Sequence, residues 1–379
     1  MILTKYSGYL AVRYAFSTRI LMTILLASSL ACHGEVVVPE TPAPKNSSIL
    51  SVGWRFKVGA PVSQSPIMSQ GIIYAVSDRG EVFALGRDAV KRWTFTLPQQ
   101  TEQEHFSTSP LRVASILLAG TDKGWLYAFN ADTGAQKWKV KIGEDIYGTL
   151  NWLEPEGTNG LSVLALARNN GSLFRLDLTT GRVIWTSPPT GRSDCSPAAG
   201  NGFIVFGACD SALHFLSPKT GEVLAKMGFE EHGPMAGGTT IDGTHVYAGT
   251  RDGSVLCADA TTYKLLWTNL VAGSEIFTTP AITTNRVIAG SSDGSIYCLN
   301  RADGKKIWSV PTQGSPASPV VSENTVVITS GGTLSLLNLD DGKTLWSDKP
   351  CDLLSAPTVN AGKIIAGTDD GFIILYQSK

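Results

Sequence analysis

From Trp54 to the C-terminus the chain repeats one arrangement of apolar and polar positions: an apolar stretch, a polar turn, and a second apolar stretch. The clearest copies are ILLAGTDKGWLYAFN (Ile116 to Asn130), HVYAGTRDGSVLCAD (His245 to Asp259), RVIAGSSDGSIYCLN (Arg286 to Asn300) and KIIAGTDDGFIILY (Lys363 to Tyr376). Weaker copies begin at Ile72, Val163, Phe203 and Thr325, which makes eight. Apolar runs this short, bounded by Gly and Asp turn residues, predict β-hairpins rather than helices. Each copy follows a short segment that starts at a Ser/Thr-Pro or similar break, as at Ser65-Pro66, Ser109-Pro110, Ser196-Pro197, Thr279-Pro280 and Ser318-Pro319.

After each of the first seven copies comes a turn and a further strand with an aromatic landmark. Including the strand SVGWRFKV (Ser51 to Val58), the landmarks are Trp54, Trp93, Trp138, Trp185, Ala225 in place of Trp, Trp267, Trp308 and Trp346. Their spacings run from 38 to 47 residues. A period of about 40 residues with four strands per unit is the spacing of β-propeller blades. The second residue of every third strand is a branched aliphatic: Val82, Leu126, Leu173, Leu213, Val255, Ile296, Leu334 and Ile373. The last unit lacks an outer strand and the first landmark strand lacks inner ones. The expectation is an all-β, eight-bladed propeller of four-stranded antiparallel blades over 51–379, its last blade closed by the N-terminal strand.

The first residues have a different character. Lys5, Arg13 and Arg19 precede the apolar run Ile20 to Ala31, too short to span a bilayer and suited to a signal peptide over 1–31. Ser29-Leu30-Ala31 before Cys32 fits ordinary cleavage and also a lipobox, so Cys32 is the candidate lipidation site and a soluble exported form is the alternative. Residues 32–50 are Pro-rich and unpatterned, a tether. Export is therefore expected. With 31 Lys+Arg against 32 Asp+Glu the net charge is -1, which offers no sequence-wide basic excess for nucleic acid.

The turn and landmark strand read NADTGAQKW, DLTTGRVIW, NRADGKKIW and NLDDGKTLW, with Gly four residues before Trp. This resembles the pyrroloquinoline-quinone-like propeller repeat family, in which the Trp docks against the adjacent blade. The resemblance is nearest to the outer-membrane-assembly lipoproteins of the BamB type. It implies blade docking by the seven Trp landmarks, weakened where Ala225 replaces Trp and where Ala89 and Tyr263 replace Gly. It also implies a protein-binding scaffold with no cofactor, whose partner is an envelope or outer-membrane protein, working as a monomer within a complex. His33 after the cysteine, where inner-membrane retention would have Asp, points to an outer-membrane anchor. Quinone dehydrogenases of the same repeat carry adjacent cysteines over their cofactor, and the six cysteines here include no adjacent pair. A periplasmic quinone-dependent oxidoreductase and a ligand-binding sensor propeller stand as alternatives.

Candidate chemistry is sparse. Cys257 and Cys298 occupy the place of Ala84 and Ala128 and read as small buried residues. Cys195 and Cys209 lie at the same end of one hairpin, and export permits a disulfide between them. The histidines show no metal-ligand spacing, no serine sits in a nucleophile elbow, and Asp-Gly pairs are hairpin turns. What stands out is polar chemistry in the loops between blades: Glu102, Glu104 and His105; Glu144 and Asp145; Arg192 and Asp194; Glu230, Glu231 and His232; and Glu275. These loops share one face of a propeller, so the middle of the chain is expected to give it a negative, partner-binding rim.

Overall fold

The computed structural model describes residues 50–98, 104–155, 160–235 and 237–378, with the backbone alone at Glu230. The signal segment, Cys32, the tether before Leu50 and Glu102 lie outside them. The described residues form eight four-stranded antiparallel sheets, the propeller that the repeat predicts. In the first blade the strands run outward in chain order as Ile67–Ser69, Ile72–Ser77, Glu81–Gly86 and Lys91–Thr96. In the eighth, Thr358–Asn360, Lys363–Gly367 and Phe372–Ser378 are completed by Leu50–Lys57. That pairing runs from Leu50 opposite Ser378 to Lys57 opposite Phe372, so the ends of the described chain close the ring.

The core lies between blades. The aliphatic of each third strand, from Val82 to Ile373, is wholly buried. It sits on the strand flanked within its own sheet by two others and between neighbouring sheets on both faces, which is why the sequence keeps it branched and apolar in every unit.

Two further contacts join the blades. The first lies at the rim. Each outer strand skips one residue against its neighbour, and the landmark follows that bulge: Ala84 opposite Trp93, Ala128 opposite Trp138, Arg175 opposite Trp185, Cys257 opposite Trp267, Cys298 opposite Trp308. A bulge re-aims the next side chain. Here it swings the indole to the following blade, where its N–H donates to a turn carbonyl: Trp54 to Arg87, Trp93 to Ala131, Trp138 to Leu178, Trp185 to Pro218, Trp267 to Arg301 and Trp308 to Leu339, at 2.9–3.0 Å. The turn glycine lies under the ring. Gly181 has φ +72°, and a Cβ there would stand 2.6 Å from the Trp138 indole, so both its conformation and its missing side chain are required.

The second contact rings the central channel and gives the Ser/Thr-Pro breaks a purpose beyond starting a strand. The Ser hydroxyls of Ser109, Ser196 and Ser318 accept backbone N–H groups of Ser65, Thr149 and Thr279 in the preceding blade. Side chains of Asn151, Thr240 and Thr358 donate to the carbonyls of Pro197, Pro280 and Pro66 in the following one. Proline cannot extend its own ladder with an N–H, and its carbonyl serves the neighbour instead.

Two of the three departures from the repeat belong to one joint. Where Ala225 replaces Trp, the next blade has Tyr263 in place of Gly, at φ +52°. The Tyr263 ring packs edge-on against Phe215 at 5.2 Å, and Phe215 is the cross-strand partner of Ala225. The aromatic ring has changed sides of the joint. The substitutions Ala225→Trp and Tyr263→Gly should therefore couple: in chemical denaturation the double variant is expected to be more stable than the sum of the single effects by at least ~1 kcal/mol. Strictly additive effects would contradict the exchange.

Candidate functional site

One face of the ring carries the loops from each outer strand to the next inner strand together with the hairpin turns between second and third strands. A single backbone bond repeats there. The N–H at one hairpin position donates to a carbonyl of the preceding loop: Asp78 to Pro61, Asp122 to His105, Arg168 to Asp145, Cys209 to Arg192, Arg251 to Pro234, Ser292 to Glu275 and Asp369 to Leu353. The backbone is constant, so side-chain chemistry at this position is free to vary. It is Asp in the first, second and eighth blades and Arg in the third and fifth.

Those two arginines make the centre of the candidate site. Arg168 Nε lies 2.5 Å from Asp194 Oδ1 and its Nη1 lies 3.3 Å from Asp145 Oδ2. Arg192 and Arg251 each reach Asp194 at 3.2 Å, on opposite carboxylate oxygens. Asp194 is 9% exposed in its side chain and is shared by three guanidinium groups, which ties the third, fourth and fifth blades together. Burial alone would raise its pKa, and the hydrogen bonds from Arg168 and Arg192 outweigh that and hold it below the usual carboxylate value. At Asp145 burial wins, and its carboxyl is pushed up despite Arg168.

Each of these two hairpin arginines covers an aromatic ring. Arg168 stacks over Tyr147 at 4.4 Å and Arg251 over Phe277 at 5.1 Å. Tyr147 is 43% exposed and Phe277 44%, so this face presents a half-buried ionic network flanked by two accessible rings. The expected negative rim is corrected accordingly: Asp145 and Asp194 are neutralised by arginines, two of which project from hairpin turns rather than from the blade-to-blade loops.

The other rim residues remain peripheral. Glu144 accepts a hydrogen bond from Asn169, His232 lies 3.5 Å from Asp252, Glu231 is exposed, and Glu275 accepts from the Ser274 hydroxyl at 2.8 Å. The expected disulfide is not formed, since Cys195 and Cys209 are both free. The N–H of Cys209 pairs with Arg192, three residues before Cys195, and the Cys195 sulfur lies over Gly207 instead. Burial pushes the Cys195 thiol up to about 12, so its reactive thiolate is suppressed. Among the described residues one cluster of possible ligand atoms exists, Cys351, Asp369 and Asp370 within 4.8 Å of one another. Burial and the adjacent carboxylates push the Cys351 thiol up to about 12. Sequence spacing could not reveal this cluster, because Cys351 lies in a loop and the carboxylates in a hairpin turn.

Residues 107–227, 209–350 and 295–378 match the family model described as outer membrane protein assembly factor BamB. The chain belongs to that family. The overlapping matches follow from the repeat itself. The BamB-family propeller is 29% identical over 293 residues to the outer membrane protein assembly factor BamB of Burkholderia pseudomallei (strain K96243), covering 73% of each chain. Its fold is similar to the crystal structure of BamB from Moraxella catarrhalis, with TM-score 0.72, 20% identity, and coverage of 87% of this chain and 100% of that one. The quinohemoprotein alcohol dehydrogenase of Comamonas testosteroni has the same fold at TM-score 0.75 and 12% identity, over 93% of this chain and 80% of that one. That likeness is of fold alone.

Asp194→Asn tests the network. It leaves three guanidinium groups without their shared charge and is expected to lower stability at pH 7 by about 2 kcal/mol. Because the folded pKa of Asp194 is depressed, its contribution is complete above the unfolded carboxylate range and is lost as pH falls through the folded value. Denaturation midpoints of the variant and the parent should therefore converge in acid; a constant difference down to pH 2 would contradict the assignment.

Proposed function

We propose that this propeller is a non-catalytic scaffold of outer-membrane protein assembly and holds an envelope protein on the loop face of its third to fifth blades. The observation that carries the reading is the Arg168–Asp145–Asp194–Arg251 network with Tyr147 and Phe277 exposed at its edges. Aromatic and arginine side chains held rigidly on a loop surface are the residue types that dominate protein–protein binding energy. Membership of the BamB family and the name of its Burkholderia relative support the assembly role. The apolar run before Cys32 supports export, and Cys32 supports lipid anchoring at the outer membrane.

The geometry favours docking over chemistry. Each charged group of the network is already paired within the protein, which keeps the guanidinium planes fixed and leaves ring faces and guanidinium edges for a partner. In the exported chain, the double substitution Tyr147→Ala and Phe277→Ala, which leaves the ion pairs at Asp194 intact, should leave the thermal transition in place. It should reduce co-purification of the outer-membrane assembly complex at least tenfold. Undiminished co-purification would remove this face from the account, and dye reduction by the wild type dependent on quinone and metal would replace the scaffold with an oxidoreductase.

A further inference from the structure

The circumference of the ring is divided by charge, and the division does not follow from the fold. Three consecutive outer strands, Leu50–Lys57 of the eighth blade, Lys91–Thr96 of the first and Gln136–Lys141 of the second, carry Arg55, Lys57, Lys91, Arg92, Lys137, Lys139 and Lys141. All seven are exposed, and none of the three strands carries an acid. The other five outer strands together carry Lys226, Lys264 and Lys306 as their basic residues, with Asp348 as an acid; Lys226 is already paired with Asp210 at 2.9 Å. At the bulge, the position that each blade turns to solvent, the first and second blades place Arg92 and Lys137. The fourth to seventh place Leu224, Leu266, Ile307 and Leu345. A chain of net charge -1 has concentrated positive charge on one arc.

The arc is continuous across the joint between the eighth and first blades. The Lys91 ammonium lies 5.8 Å from the Phe56 ring of the eighth blade and 5.6 Å from Phe83 of its own. Lys139 and Lys141 lie 4.8 and 5.6 Å from the half-buried Trp125 ring. Lysine stems over aromatic rings keep ammonium groups at a boundary between apolar and aqueous surroundings. Five of the seven cations are lysines, point charges suited to a diffuse anionic surface; a built carboxylate or phosphate site favours the planar fork of arginine. The chain before Leu50 joins the ring within this same arc, so a surface that holds the N-terminal segment faces it first.

We infer that the outer edges of the eighth, first and second blades form a docking arc for the headgroups of an anionic lipid bilayer, which sets the tilt of the ring on the membrane. The arc lies on the circumference and acts separately from the partner-binding loop face. Charge complementarity with anionic headgroups supplies the attraction, and it is screened by salt.

The exported chain carrying Cys32→Ser, which has no acyl attachment point, is tested by sedimentation with vesicles of phosphatidylcholine alone or with 30% phosphatidylglycerol. Binding is expected to the anionic vesicles only and to weaken as salt rises. At about fivefold per charge near such a surface, Lys137→Gln, Lys139→Gln and Lys141→Gln together should weaken it on the order of a hundredfold, while Lys264→Gln with Lys306→Gln leaves it unchanged. Arg55→Gln with Lys57→Gln, which removes no ring contact, should weaken it on the order of tenfold and serves if the triple variant fails to fold. Equal binding to both vesicle types, no binding to anionic vesicles, or equal loss in the Lys264/Lys306 control overturns the proposal. Capture of an acidic envelope protein by this arc without vesicle binding would reassign it to a protein partner.

Discussion

Every property of this molecule depends on a ring of separate sheets staying shut. A four-stranded blade alone exposes two apolar faces and two edges, and it gains stability only by packing against neighbours on both sides. Two sets of hydrogen bonds align those faces: the indole at the rim, aimed by a bulge at a turn carbonyl of the next blade, and the Ser/Thr-Pro contacts around the channel. The last joint has to be made differently, because no turn links Ser378 to Leu50. There Trp346 meets Tyr376 at 5.6 Å, and the Tyr376 hydroxyl donates to Asp348 across the joint. The joint on the other side of that blade keeps the repeated contacts, with Thr358 and Asn360 bonding to Pro66 and Met68 of the first blade on the inner side. Strand Leu50–Lys57 then covers the edge of Phe372–Ser378.

With the ring fixed by repeated contacts, the exposed positions of each repeat are released from structural duty. The hairpin position bonds the preceding loop through its N–H whatever its side chain, so Asp122, whose carboxylate also accepts the His105 N–H, and Arg168 are equivalent in backbone and electrostatically opposite. The bulge position is similar, since Lys137 and Leu345 occupy the same place and both are exposed. Function in this fold is written at such positions. The loop face acquires its ionic network from Arg168 and Arg251, and the circumference acquires its basic arc from Arg92 and Lys137.

Much of this was legible in the sequence, for a physical reason. A repeat superimposes eight copies of the same burial problem, so the branched residue at Val82, Leu126 and their equivalents marks the third strand without ambiguity, and the unpaired strand around Trp54 demands closure. What escaped was cross-blade geometry. Arg168 and Arg251 were visible only as turn residues, and nothing local shows that both reach Asp194, 26 and 57 residues away. The Cys195 and Cys209 hairpin was legible to within a few residues, which is insufficient when pairing decides which face a sulfur occupies. The Ala225 and Tyr263 departures looked like two weak joints and are one joint with its aromatic ring on the other side.

Native-state hydrogen exchange on the exported chain tests the closure claim most directly. If the ring stands or opens as one unit, the paired amides of Leu50–Lys57 exchange as slowly as those of Phe372–Ser378, and both sets share the protection of the inner blades. Exchange of the Leu50–Lys57 amides at fraying rates, with the remaining blades fully protected, would show that the ring holds without its closing strand and would contradict the account.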